Sequence, residues 1–107
     1  MTAAVRLDDW RPFSYWYAIF GDIEDDGPLL DNLEAFDVPA WKLRMEKKCF
    51  VMEGSEPLGV MFCKVPKSLA GRFDIAMENY ARRMRMLHES YENDLNDFIK
   101  IFENAAR

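Results

Sequence analysis

The stretch SLAGRFDIAMENYARRMRMLHESYENDLNDFIKIFENAAR, residues Ser68 to Arg107, decides how the rest of the chain is read. Its apolar residues include Leu69, Phe73, Ala76, Tyr80, Met84, Leu87, Tyr91, Leu95, Phe98 and Phe102. Steps of three and four place them on one face of an α-helix. Leu69, Tyr80, Tyr91 and Phe102 recur every eleven residues. That period means ~3.67 residues per turn, so the stripe runs straight or slightly right-handed and not as a leucine-zipper seam. Ser68, after Pro66 and Lys67, suits the N-cap. Unbroken, such a helix exceeds about 50 Å at ~1.5 Å per residue. A globule of this chain length has a radius of gyration of only about 13 Å. Either the helix breaks, at His88-Glu89-Ser90, or it overhangs the domain and meets a partner.

Working outward, Val65-Pro66 leads into this helix from an apolar run, Leu58 to Cys63. A second run, Cys49 to Met52, precedes a turn-rich Glu53-Gly54-Ser55-Glu56-Pro57. Two β-prone runs around such a turn predict a hairpin. Centring the turn on Ser55 and Glu56 pairs Val51 with Met61 and Cys49 with Cys63. Trp41, Leu43 and Met45 alternate with Lys42, Arg44 and Glu46, which suits a strand with one wet face; a helix opened by Pro39 competes. Both hairpin faces are apolar, so each needs a cover of helix or of another chain.

Further upstream, Phe13, Trp16, Tyr17, Phe20 and Ile23 follow helical spacing, and Pro12 suits a first helical turn. A helix is expected from about Trp10 to Gly21, after a frayed lead-in over residues 1–8. Pro28 opens a second, shorter helix with Leu29, Leu30, Leu33 and Phe36 on its apolar face, stopped by Asp37-Val38-Pro39. The expected architecture is α+β: two N-terminal helices, a short antiparallel β-hairpin and a long C-terminal helix, in a single domain over residues 1–107.

Half of the residues are apolar and 14% are aromatic, enough for a packed core. The formal net charge of −5 argues against generic nucleic-acid binding, although a local basic patch can still serve. With no basic, apolar leader and no membrane-length apolar run, a cytoplasmic location is expected. Two cysteines fit free thiols in that compartment; the expected register allows a cross-strand Cys49–Cys63 disulfide, but reduced core residues are the expectation. Between Arg11 and Lys42 there are seven acidic residues and no basic one, an acidic lobe.

No motif for chemistry is complete. Asp22-x-Glu24-x-Asp26-Gly27 opens like a calcium loop, but its twelfth position is Leu33 where a bidentate Glu is required. A small metal- or ligand-binding sensor using this turn is the alternative to a protein-binding role. His88 is the single histidine, and its spacing supports no nucleophile. No cofactor, metal or catalytic residue is expected, and the chain is read as non-enzymatic.

Two basic regions stand out. Arg82-Arg83-Met84-Arg85-Met86 is the denser, with Glu78 and Glu89 placed to pair with Arg82 and Arg85. Lys42, Arg44, Lys47, Lys48, Lys64 and Lys67 form the second. Apolar residues exceed what one core requires, which points to a partner protein met by aromatic and arginine hot spots. The expected partner-binding residues are Trp10, Tyr15, Trp41, Arg82, Arg85, Phe98 and Phe102. A homodimer built on the last helix or on the hairpin's open face is also expected, with neither nucleic acid nor membrane as a partner.

A small acidic chain that opens Leu7-Asp8-Asp9-Trp10-Arg11-Pro12-Phe13-Ser14-Tyr15-Trp16 and ends in a Met/Tyr/Phe-striped helix resembles the small bacterial quorum-sensing antiactivators of the QslA type. The resemblance covers the whole chain in size, charge and layout, and carries over no functional residue. It implies a homodimeric inhibitor that binds a LuxR-type transcription activator and prevents its dimerisation.

Overall fold

The computed structural model describes residues 2–7, 14–21, 25–50 and 58–105. Among these residues, four strands, three α-helices and one short 3₁₀ turn follow in the order β1 (Ala4–Leu7), β2 (Ser14–Ile19), α1 (Gly27–Ala35), the 3₁₀ turn (Ala40–Lys42), β3 (Arg44–Phe50), β4 (Leu58–Pro66), α2 (Lys67–Leu87) and α3 (Tyr91–Ala105). The strands form one antiparallel sheet ordered β1-β2-β4-β3.

The chain is thus α+β, but not in the expected order. The segment expected as the first helix carries a central strand, and residues expected to fray form an edge strand paired with it, Ala4 opposite Ile19 and Leu7 opposite Trp16. The cause is burial on both sides. A strand covered on both faces is a near-continuous apolar run, which reads equally well with period two or 3.6. In Ser14–Ile19 the aromatic and β-branched residues favour the pleated alternative. Trp10 lies outside the described residues.

The hairpin is present, with a register four residues away from that expected. Lys47 lies opposite Met61 and Met45 opposite Cys63, so Cys49 faces Gly59. The shift is even, so each side chain keeps its expected face. Residues 51–57, where the turn is expected, lie outside the described residues. The Trp41–Met45 alternation belongs to a strand only from Arg44 onward; Trp41 sits in the 3₁₀ turn.

The pairing assigns the two faces. Tyr17, Ile19, Met61, Cys63 and Val65 point to the side covered by α2, whose Leu69, Phe73, Ala76, Met77, Tyr80 and Met84 are buried. The Tyr17 and Phe73 rings lie 4.6 Å apart. α1 packs beside α2, and the buried Asn32 amide accepts from Asn79 Nδ2 while donating to the Pro28 carbonyl at 2.9 Å. Trp16, Ala18, Val60 and Phe62 point to the other side. There Phe20 meets Tyr91 and Phe98, each at 5.2 Å, and Phe62 meets Phe102 at 6.2 Å, which sets α3 over this second face.

The expected forty-residue helix is therefore two helices on opposite sides of the sheet. The break falls at His88, whose φ of −134° and ψ of 118° are extended. Ser90 starts α3: its carbonyl accepts from Asp94 N at 3.1 Å and its hydroxyl from there reaches the Asp94 carboxylate at 3.3 Å. Glu92 and Asp94 in the first turn suit the positive end of the helix dipole. The eleven-residue repeat survives because both helices bury the same stripe, one against each face. Among the described residues no helix is long and apolar enough to cross a membrane.

Candidate protein-docking groove

α1 ends in a Schellman motif, the Val38 amide donating to the Leu33 carbonyl at 2.8 Å and the Asp37 amide to the Glu34 carbonyl at 3.1 Å. This motif requires a left-handed residue, and Asp37 supplies it with φ of 57°. Glycine is the usual occupant because an L side chain is strained there. Arg72 on α2 holds the bend, its Nη1 donating to the Asp37 carbonyl at 2.9 Å. Beyond the bend, Pro39 extends the chain into the 3₁₀ turn.

These elements enclose an open groove of about 640 Å³ between α1, the 3₁₀ turn and the start of α2. Leu30, Val38, Pro39, Ala40 and Leu69 give it an apolar lining, and Glu34, Asp37, Lys42 and Arg72 line it with charges of both signs. Trp41 lies between two lining residues and is 81% exposed, with Lys42 Nζ 5.1 Å from its ring centroid. A large aromatic held out on a short turn beside an apolar groove has the composition of a binding hot spot.

The other expected partner-binding residues are dispersed. Phe98 is 1% exposed and is core. Phe102 stacks on Phe98 at 4.7 Å and on Phe62, so it closes the second face. Tyr15 is half-buried under two cations, Arg6 at 4.5 Å and Lys67 at 5.0 Å from its centroid. Arg85 pairs with Glu92 at 3.1 Å, clamping the helix break, where Glu89 was the expected partner. Arg82 is exposed on α2, several turns from the groove. Trp41 alone of the described set flanks a groove. The Schellman bend and Arg72, which build that groove, were not singled out by residue patterning; the αL aspartate leaves no periodic signal.

Asp22 and Glu24 lie outside the described residues. Asp26 pairs with Lys47 at 3.7 Å, and Asp25 Oδ1 accepts from the Gly27 amide at 3.1 Å, so this part of the acidic turn starts α1. No group of three metal-ligating side chains occurs among the described residues. Near the helix break, His88, Ser90 and Asp94 line a second hollow of about 240 Å³, but the Ser90 hydroxyl is bonded to Asp94.

Three buried groups are strongly shifted upward, Cys63, Tyr17 and Tyr91. Burial pushes the Cys63 thiol up to about 12. Burial, followed by the nearby Asp74 carboxylate, raises the Tyr17 phenol, whose oxygen has no partner of standard hydrogen-bond geometry. Cys63 and Tyr17 lie in the core and not in a cleft, so they report packing rather than reactivity.

No protein-family model, curated protein or solved structure matches the chain.

Proposed function

We propose that this chain is a non-catalytic, cytoplasmic protein-binding regulator that captures a partner protein at the α1–α2 groove, with Trp41 as the anchor. The observation that carries the reading is Trp41 itself, 81% exposed beside the apolar groove. Leaving a tryptophan in water forgoes about 1.5–3 kcal/mol of burial, which a partner recovers. The resemblance to quorum-sensing antiactivators supplies the partner class, a LuxR-type transcription activator kept from dimerising. Self-association belongs to the same reading: Met86 at 88% and Leu87 at 61% exposure beside the helix break, with Ile101 on α3, offer apolar contacts to a second copy.

The test combines light scattering with titration of a purified LuxR-type activator. The expected result is a dimer of this chain, a stable complex with the activator, and loss of activator dimers. Trp41→Ala is expected to weaken that complex at least thirtyfold, the effect of truncating an aromatic hot spot. A monomer that retains no protein partner overturns the reading.

A further inference from the structure

The groove beside α1 and the exposed ring next to it are two halves of one fit. A 3₁₀ turn completes a revolution in three residues, so with Ala40 lining the groove Trp41 is rotated about 120° away from it. Trp41 is exposed and is not a lining residue. The ring therefore stands outside a groove made apolar by Leu30, Val38, Pro39 and Leu69. A knob and a hole side by side on one surface satisfy a two-fold axis placed between them, because each copy's knob then enters the other's hole.

The charges share this property. Glu34 and Asp37 line the groove from α1 and its exit, and Lys42 and Arg72 line it from the 3₁₀ turn and α2. Their formal charges cancel, in a chain whose net charge is −5. A partner surface of one sign meets as much repulsion as attraction on this rim. A second copy, turned about the two-fold axis, sets its cations against these carboxylates and its carboxylates against these cations. Lys42 travels with Trp41, its Nζ 5.1 Å from the ring centroid, so a ring entering the neighbouring groove brings a cation to the rim that holds Glu34. A buried tryptophan covers about 200 Å², so two rings and the walls they cover remove about 800 Å² in total, short of the ~1,200 Å² of stable interfaces. The contact is therefore a dissociable one.

We infer that a second copy of this chain caps the groove, each Trp41 seated in the other's groove, and that this reversible cap regulates capture of the partner protein. This rests on the reading of the groove as the partner-docking site with Trp41 as its anchor. One ring cannot serve both, so the capped pair and the partner complex exclude each other. Apparent partner affinity then falls as the chain becomes more concentrated. Met86 and Leu87 lie at the opposite end of α2 from Leu69 and Arg72, so contact between copies there is unaffected when the cap opens.

The test is sedimentation velocity of the full chain from about 1 to 100 µM, where its mass is expected to double with a dissociation constant in the micromolar range. Trp41→Ala, Lys42→Glu and Glu34→Lys lie at exposed positions, and circular dichroism checks that each variant is folded. Trp41→Ala is expected to weaken the doubling at least thirtyfold. Lys42→Glu alone and Glu34→Lys alone are each expected to weaken it at least fivefold, because each sets like charges together on both sides of the axis. An equimolar mixture of these two single variants is expected to recover the affinity to within threefold, since every mixed pair again sets acid against base. A charge pair within one copy is not rescued by mixing. Adding the purified LuxR-type activator is expected to dissolve the doubled species. No doubling up to about 100 µM overturns the proposal, as does a mixture no tighter than the single variants. If Trp41→Ala leaves the doubling intact but abolishes activator binding, the cap is refuted and the capture reading stands. If it abolishes the doubling but leaves activator binding unchanged, the seating of the second copy stands and the capture reading fails.

Discussion

The Tyr91 hydroxyl donates to the Phe20 carbonyl at 3.0 Å, tying the first turn of α3 to the exit of β2 across 71 residues of sequence. Tyr91 is 4% exposed, and its ring also packs on Phe20. Tyr91→Phe keeps the ring and leaves a part-buried carbonyl unpaired, at a cost of about 1–2 kcal/mol. α3 makes its face contacts separately from α2, so amide hydrogen exchange is expected to quicken first in Tyr91–Ala105 and only slightly in Lys67–Leu87.

Gly21 marks the same corner. A Cβ there overlaps the Tyr80 hydroxyl and lies 2.8 Å from its Cε1 and Cζ, with the ring itself in the core. Gly21→Ala is expected to destabilise by about 1–3 kcal/mol through overpacking. Urea unfolding of G21A, Y80F and the double variant checks it. The double variant is expected to be more stable than the sum of the single effects.

Asp37 holds a left-handed conformation that glycine adopts freely. Asp37→Gly is expected to stabilise the fold by about 0.5–1 kcal/mol, a rise of roughly 3–6 °C in Tm. It also removes a charge from the rim of the groove. A more stable variant with weaker partner binding, by calorimetry, is the expected pair of results.

The two thiols are expected to separate cleanly. Cys63 is buried as expected, but Cys49, expected in the core, is exposed. Cys49 faces Gly59, four residues along β4 from Cys63, a separation of about 13 Å against the ~7 Å limit for a disulfide. A thiol reagent is expected to label one cysteine quickly in the native protein, and the second only on unfolding.

Alkaline pH is expected to act through Cys63. Its folded value near 12 lies above the ordinary 9.0, so the folded chain keeps a proton that the unfolded chain releases. The stabilisation is full below about pH 9 and is lost as pH rises toward 12, by up to ~1.4 kcal/mol per pH unit. The raised phenols of Tyr17 and Tyr91 add their loss above their ordinary value of 10.0. Thermal melts between pH 7 and 11 check this, and Cys63→Ala is expected to move the onset upward by about one unit.

Features set by local chemistry were legible before the structure. Pro28 opens α1 and Asp37-Val38-Pro39 ends it; the break at His88–Ser90 is only one of two readings of a long C-terminal helix. Features set by distant packing were not. Ser14–Ile19 became a strand because β4 and two helical layers cover it; its aromatic residues lean toward a strand, but its apolar run fits a helical period as well, so the cover decides. The hairpin register differs by four from the expected one because Glu53-Gly54-Ser55-Glu56-Pro57 offers several positions of equal turn preference in sequence. Of the expected binding residues, Trp41 stayed on the surface while Phe98 entered the core, since a helical stripe does not say whether its cover is the same chain.

The central pairing of β2 with β4 also shapes the route to the fold. Ser14 meets Pro66, and Ile19 meets Met61, across more than forty intervening residues. During synthesis β1 and β2 emerge well before the strand that completes them. Tyr17 and Ile19 then wait with one edge and both faces uncovered, a high-contact-order arrangement that slows folding. The β3–β4 hairpin closes locally and presents the missing edge, so its formation is the step that commits the chain. Substitutions that weaken that hairpin are therefore expected to lower yield by aggregation before they lower the stability of the finished molecule.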